Sequence, residues 1–200
     1  MEQEKIQIDI TKFIKVYENF LPLNVLPSFL KWLNNQNFSP AAVVGHDNEG
    51  VLDTGTRRTE QLSLGIHEDS NKTSIHWSNF LSSFFLKAFT KYENDVTPFH
   101  KVNVNGIVDM AALKYEKAGF YKFHTDHHFS IPRTMTCIVL LNNDYEGGEL
   151  EFASPLTNEP ILKIPKLANS IIIWPSNFMY PHRVNPVTDG KRFSIVAWLF

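Results

Sequence analysis

The stretch that decides the fold is MTCIVLLNNDYEGG, at residues 135–148. It begins with a mostly apolar run of strand length and ends in Asn143-Asp-Tyr-Glu-Gly-Gly, which is a strong turn signal. The same alternation of short strand and turn runs through the C-terminal half of the chain. The predicted strands are residues 107–115, 119–126, 135–142, 149–153, 161–164, 169–174, 182–187 and 192–200. Many short strands separated by turns are typical of a double-sheet jelly roll.

The first half of the chain carries helix patterns instead. Residues 24–35 place apolar side chains at helical spacing, and residues 73–91 carry a longer apolar stripe of the kind that packs on a sheet. We therefore predict an α+β fold. Its all-β core would be a jelly roll (a cupin-like double-stranded β-helix) at about residues 102–200, and helices within about residues 1–100 would buttress an outer sheet face. The 200 residues fit one domain, 1–200.

Between the predicted helices lies a polar segment punctuated by glycines. Long loops in compact domains often act as lids or binding loops. A lid over about residues 46–60 and a passive surface loop both fit this composition.

Composition disfavours several classes of partner. The net charge of -2 and the pI of about 6.4 give no overall attraction to nucleic acid or to an anionic membrane. Cys137 is the sole cysteine, so an intrachain disulfide cannot form. The acidic N-terminus does not resemble a signal peptide, and no apolar run is long enough to cross a bilayer. These features predict a cytoplasmic protein without a membrane partner.

His124-Thr-Asp126 is the stretch that points to chemistry. On a strand, a histidine and a carboxylate two residues apart project from one face. Two imidazoles and one carboxylate on one side of a metal form the facial triad of non-haem Fe(II) oxygenases. His182 fits the third position, because that ligand must come from a distant strand. His128 would share the face of Asp126, so a triad of Asp126, His128 and His182 is the alternative.

Arg192 and Ser194 share a face of the predicted C-terminal strand. A guanidinium fork beside a hydroxyl suits two-point recognition of a buried carboxylate. We expect this pair to hold the far end of a dicarboxylic co-substrate.

Taken in order, the motifs of the C-terminal half resemble the Fe(II)- and 2-oxoglutarate-dependent dioxygenases, and within them the prolyl 4-hydroxylase-like branch. The resemblance covers about residues 107–200. Its motifs are Tyr115-x8-His124-x-Asp126, Arg133-x-x-Thr136, Gly147-Gly-Glu-Leu-x-Phe152, His182 and Arg192-x-Ser194.

This resemblance implies a catalytic set and its cofactors. The implied iron ligands are His124, Asp126 and His182, because His124 has the matching spacing to an upstream tyrosine. Arg192 would pair with the distal carboxylate of 2-oxoglutarate, assisted by the hydroxyls of Ser194 and Tyr115. The implied reaction uses Fe(II), 2-oxoglutarate and O2, with ascorbate as a supporting reductant. It hydroxylates an unactivated C–H bond and releases succinate and CO2.

The substrate follows less directly from the residues. Arg57-Arg58-Thr59 resembles the Arg-Ser/Thr segment of the branch's substrate loop, which makes Arg58 a candidate substrate contact beside Arg133. Collagen-type enzymes carry Lys where this chain has Arg192, so collagen is disfavoured. The resemblance favours a prolyl residue in a peptide or protein. The alternatives are a free amino acid or other small molecule, a nucleobase, or a non-catalytic jelly-roll module that only binds metal.

Overall fold

The computed structural model describes residues 9–44, 50–68, 70–128 and 130–200. The helices are α1 (Leu26–Leu33) and α2 (Lys72–Val96), and a 3-10 turn spans Ile10–Phe13. The strands are β1 (Lys15–Glu18), β2 (Ser39–Pro40), β3 (Val43–Val44), β4 (Gly50–Val51), β5 (Arg57–Arg58), β6 (Glu60–Ser63), β7 (Ile107–Tyr115), β8 (Phe120–His124), β9 (Met135–Leu140), β10 (Glu146–Gly147), β11 (Leu150–Ala153), β12 (Pro160–Lys163), β13 (Ser170–Pro175), β14 (His182–Val184), β15 (Val187–Asp189) and β16 (Arg192–Leu199).

Two antiparallel sheets form the core. The larger sheet has the strand order β1-β13-β9-β16-β7-β6-β2, and the smaller one has the order β12-β11-β14-β8-β5. Two further pairs, β10 with β15 and β3 with β4, lie outside these sheets. The predicted double-sheet jelly roll with flanking helices is confirmed.

Alternation along the strands of the larger sheet divides the apolar residues between two cores. On β9, Cys137 and Val139 belong to the core shared with the helices, whereas Ile138 and Leu140 belong to the core between the sheets. The buried residues of α2 recur about every fourth position, from Trp77 through Leu81 and Phe85 to Phe89, and they join the helix-side core. The helices therefore cover the outer face of the larger sheet, as predicted. No helix among the described residues is long and apolar enough to span a membrane.

Two expectations about the strands need correction. First, β8 ends at His124, so Asp126 lies in the irregular chain beyond it and the two residues do not share a strand face. Second, the N-terminal half supplies strands as well as helices: β1 pairs with β13, and β6 pairs with β7. These strands escaped prediction because both are half-buried and carry charged or amide side chains, without a clean apolar alternation.

The segment expected to be one long loop is partly ordered into strands. Its described part contains β4, which pairs with β3, and β5, which pairs with β8. The β5–β8 pairing sets Arg57 opposite Tyr121. Residues 45–49, including His46 and the first part of the candidate lid, lie outside the described residues.

Candidate metal centre and co-substrate site

The smaller sheet brings two histidines side by side. His124 on β8 and His182 on β14 are direct partners in the antiparallel pair. Asp126 follows β8 by two residues, with Oδ2 at 3.5 Å from His182 Nε2 and Oδ1 at 3.9 Å from His124 Nε2. The ligand atoms of all three lie within 4.8 Å of one another, and no other such group occurs in the described part of the chain. This donor set fits Fe(II).

Both imidazoles are oriented by their second nitrogen. His124 Nδ1 lies 2.9 Å from the carbonyl oxygen of Lys122, and His182 Nδ1 lies 3.1 Å from that of Tyr180. A proton on Nδ1 donates to each carbonyl, which leaves the Nε2 lone pair turned toward Asp126. That is the tautomer a metal ligand requires.

The surroundings of His124 and Asp126 favour the protonation states in which these side chains can bind a metal. Burial, and then the neighbouring His182, lower the pKa of His124 to about 3, so this imidazole is neutral at pH 7. For Asp126, burial opposes ionisation, but His182, His124 and the Thr136 hydroxyl outweigh it and hold the pKa below its usual range. Neutral imidazoles and an ionised carboxylate are the forms that bind a metal.

His128, the alternative ligand, does not join this group. Its Nδ1 accepts hydrogen bonds from the backbone N–H groups of Ser130 (3.2 Å) and Ile131 (3.0 Å). His127 and His128 both line the cavity into which the metal group opens. The structure thus assembles His124, Asp126 and His182.

The cavity has a volume of about 800 Å³. Volumes of roughly 300–1,000 Å³ are typical of ligand and cofactor sites. The metal group and Tyr115 contribute to its lining, together with two aromatic side chains, Tyr121 and Trp198, and two cationic ones, Arg57 and Arg133.

Arg192 carries a buried positive charge next to this cavity. It is opposite Tyr115 in the β16–β7 pair, and its guanidinium carbon lies 5.0 Å from the Tyr115 ring centre. The residue is 1% exposed, and Nη1 donates to Ser194 Oγ at 2.7 Å. Nε and Nη2 are buried and have no hydrogen-bond partner among the described residues. Buried charged donors call for an anionic acceptor, so a carboxylate of 2-oxoglutarate fits this guanidinium.

The two predicted substrate contacts have different positions. Arg133 lines the metal cavity, with its guanidinium carbon 3.9 Å from the Trp198 ring centre. Arg58 is exposed and lines a neighbouring cavity of about 390 Å³ instead. Successive strand residues face opposite ways, so it is Arg57, not Arg58, that reaches the metal cavity.

Sequence reasoning missed three residues of the cavity wall. Tyr121 stacks on the His124 imidazole, with ring centres 3.5 Å apart and an interplanar angle of 19°. The guanidinium carbon of Arg57 lies 4.7 Å from the centre of the Tyr121 ring, and Arg57 Nη1 donates to the carbonyl of Ala42 at 3.0 Å. Trp198 is half-buried in the cavity wall. The Arg57-Arg58-Thr59 resemblance could have identified Arg57, whereas a spacing of three residues on a regular strand would put Tyr121 and His124 on opposite faces.

Residues 110–200 match the 2OG-Fe(II) oxygenase superfamily. Over 188 residues, the chain is 46% identical to a PKHD-type hydroxylase of Hyphomonas neptunium, and the alignment covers 92% of this chain and 76% of that protein. A PKHD-type hydroxylase of a Synechococcus species is 33% identical over 93 residues, which cover 42% of this chain and only 39% of that protein.

Among solved structures, the fold is similar to that of a prolyl hydroxylase from Trichoplax adhaerens in complex with a peptide fragment of the hypoxia inducible factor oxygen degradation domain. The TM-score is 0.72 at 21% sequence identity, and the match covers 95% of this chain and 84% of that one. At 21% identity this similarity concerns the fold alone.

Proposed function

Since this chain belongs to the 2OG-Fe(II) oxygenase superfamily, we propose that it is a hydroxylase that uses Fe(II), 2-oxoglutarate and O2 and acts on a prolyl residue of a peptide or protein. One observation carries the proposal. The His124, Asp126 and His182 group lines a cavity, and beside that cavity Arg192 has two buried donors without a hydrogen-bond partner among the described residues. A module that only binds metal has no use for that cation.

The metal-binding residues would be His124, Asp126 and His182. Bound iron, with 2-oxoglutarate and O2, supplies the oxidising power that replaces an unactivated hydrogen by hydroxyl while succinate and CO2 leave. Burial keeps the His124 imidazole neutral, and the neighbouring histidines with the Thr136 hydroxyl keep Asp126 ionised. A metal held by three protein ligands would keep positions open to other ligands.

Arg192, Ser194 and Tyr115 would bind the co-substrate. Arg192 Nε and Nη2 would donate to its distal carboxylate. Ser194 Oγ accepts from Arg192 Nη1, so its own hydroxyl proton remains available to the same carboxylate. Tyr115 lines the cavity beside the guanidinium and offers a further hydroxyl.

The cavity walls support a prolyl substrate within a peptide. The faces of Tyr121 and Trp198 suit the apolar pyrrolidine ring. Arg57 and Arg133 each lie over one of these rings and carry a buried Nε without a partner in the described part of the chain. Such N–H groups suit the carbonyl oxygens of a peptide. We therefore assign the loop contact to Arg57 rather than Arg58 and retain Arg133.

The first test measures assembly of the centre. Metal-free protein is titrated anaerobically with Fe(II) and then 2-oxoglutarate, and a visible metal-to-ligand charge-transfer band is expected. His124→Ala should abolish the band, whereas the matched variant His128→Ala should retain it. The opposite result would select the alternative triad, and a full band in His182→Ala would contradict both.

The second test addresses the substrate. Succinate formation, with ascorbate present, is measured with proline-containing peptides and with free amino acids. Turnover with peptides, accompanied by a mass increase of one oxygen atom on proline, is expected. Coupled turnover with free amino acids alone would reject the peptide substrate while leaving the oxygenase intact.

A further inference from the structure

A chain of buried hydroxyl groups lies behind Asp126. Thr136 Oγ1, on β9, is 2.8 Å from Asp126 Oδ2 and 2.7 Å from Ser176 Oγ. Thr136 is fully buried, and Ser176 is 1% exposed. Ser176 follows β13, and its backbone N–H donates to the carbonyl of Thr134 at 3.0 Å. The hydroxyl groups are therefore held by the larger sheet.

The direction of these hydrogen bonds follows from the donors present. An ionised carboxylate only accepts, so Thr136 must donate to Asp126. Thr136 has a single hydroxyl proton, which leaves it an acceptor toward Ser176. The donation therefore runs from Ser176 to Thr136 to Asp126. Each polarised donor strengthens the next bond in such a chain.

Asp126 needs this support more than the histidines do. His124 and His182 lie on paired strands of the smaller sheet, and each ring is tied to a carbonyl two residues before it. Asp126 lies beyond the end of β8, where no ladder hydrogen bonds fix the backbone. The bond from Thr136 ties its side chain across to the larger sheet.

We propose that Thr136, supported by Ser176, is a positioning residue that fixes the orientation of the Asp126 carboxylate toward His124 and His182. This inference rests on the proposed role of Asp126 as a ligand. With one lone pair of Oδ2 engaged by Thr136, the carboxylate is held in one rotation.

The test measures metal binding without turnover. Metal-free variants are titrated with Mn(II), followed by the EPR signal of the free ion, and the visible spectrum of bound Co(II) is recorded. Thr136→Val keeps the branched shape and removes the hydroxyl. We expect it to weaken Mn(II) binding roughly 10- to 100-fold, as for other outer partners of metal ligands, and to alter the Co(II) spectrum. Thr136→Ser, which restores the hydroxyl, should recover both.

A double variant tests whether the two hydroxyls act in series. Ser176→Ala alone should weaken Mn(II) binding less than Thr136→Val does. Adding Ser176→Ala to Thr136→Val should cause no further loss, because the connecting hydroxyl is already gone. The matched control is Ser170→Ala, which removes another fully buried hydroxyl, one that donates to the Leu167 carbonyl at 2.5 Å. It should lower stability and leave Mn(II) affinity unchanged.

Native Mn(II) affinity and an unaltered Co(II) spectrum in folded Thr136→Val would overturn the positioning role. Asp126→Ala, measured in parallel, separates the two levels of the argument. If it loses Mn(II) while Thr136→Val does not, the proposed triad stands and only the positioning role fails. If Asp126→Ala also binds normally, the triad itself is wrong. Should Thr136→Val not fold, an unaltered Co(II) spectrum in Ser176→Ala would overturn the proposal.

Discussion

Replacing Arg192 by methionine tests the co-substrate site most directly. The substitution keeps much of the side-chain volume and removes the cation between the sheets. In the native protein, Nη1 is already engaged by Ser194, and Nε and Nη2 are the two donors free for a ligand. The cost of the substitution should therefore correspond to two charge-assisted hydrogen bonds.

The magnitude follows from those two bonds. A hydrogen bond to a charged group contributes about 1.5–3 kcal/mol, so the loss is about 3–6 kcal/mol, with a tenfold change for each 1.4 kcal/mol. Arg192→Met should raise the KM for 2-oxoglutarate roughly 100-fold or more. Ser194→Ala removes a neutral hydroxyl and should cost about 1 kcal/mol, or roughly fivefold.

A binding assay tests the same contact between Arg192 and 2-oxoglutarate without turnover. In the presence of Mn(II), 2-oxoglutarate at 100 times its Kd should stabilise the native protein by about 2.7 kcal/mol. For a chain of this size, that corresponds to a rise in Tm of roughly 5–11 °C. Arg192→Met should abolish most of this shift at the same concentration, as measured by differential scanning calorimetry.

Arg183→Met is the matched control. Arg183 donates to Glu151 at 2.8 Å and lies over the Phe123 ring, outside the cavity lining. This substitution should lower Tm but preserve the shift caused by 2-oxoglutarate. An undiminished shift and an unchanged KM in Arg192→Met would refute the reasoning.

Three further predictions concern stability and reactivity. Gly147 has φ +68°, and a Cβ there would collide with the Pro186 carbonyl oxygen. Gly147→Ala should therefore lower the free energy of unfolding by about 2 kcal/mol or more in urea titrations, and a smaller loss would show that the backbone relaxes. Asn169 bonds both the N–H and the carbonyl of Leu21 at 2.8 Å, so Asn169→Ala should cost about 2–3 kcal/mol by the same assay, and near-native stability would contradict the role of this link. Burial raises the pKa of the fully buried Cys137 thiol and keeps it protonated, so iodoacetamide at pH 8 should modify it only as fast as the protein unfolds; rapid labelling under native conditions would disprove its burial.

The sequence predicts a strand well where burial on both faces requires apolar residues. All six residues of β9 are buried, and they appear in the sequence as an apolar run. β6 is different, because it is half-buried between β7 and the short β2, and Glu60-Gln-Leu-Ser suits that position without an apolar pattern. Its assignment depends on pairing with a distant strand, which local sequence does not encode.

In the candidate site, too, some residues could be predicted from local sequence and others depend on distant pairing. Sequence could group His124 with His182 because both residues lie in or next to recognisable strands. The choice between Arg57 and Arg58 was not, because the two residues are chemically identical and only the parity of β5 decides which one faces the cavity. The sequence also grouped Asp126 with the histidines, but the reason given, a strand face shared with His124, was wrong because β8 ends before Asp126.

Both sheets contribute residues to the site, and the packing between the sheets maintains the distance between the metal group and Arg192. The histidines belong to the smaller sheet, whereas Thr136 and Arg192 belong to the larger one. Trp174 of the larger sheet packs against His182 with ring centres 5.0 Å apart, so the inter-sheet core itself fixes the distance between metal group and cation. The helix-side core lies on the opposite face of the same strands. Substitutions there act on stability first, because the larger sheet stands between them and the site.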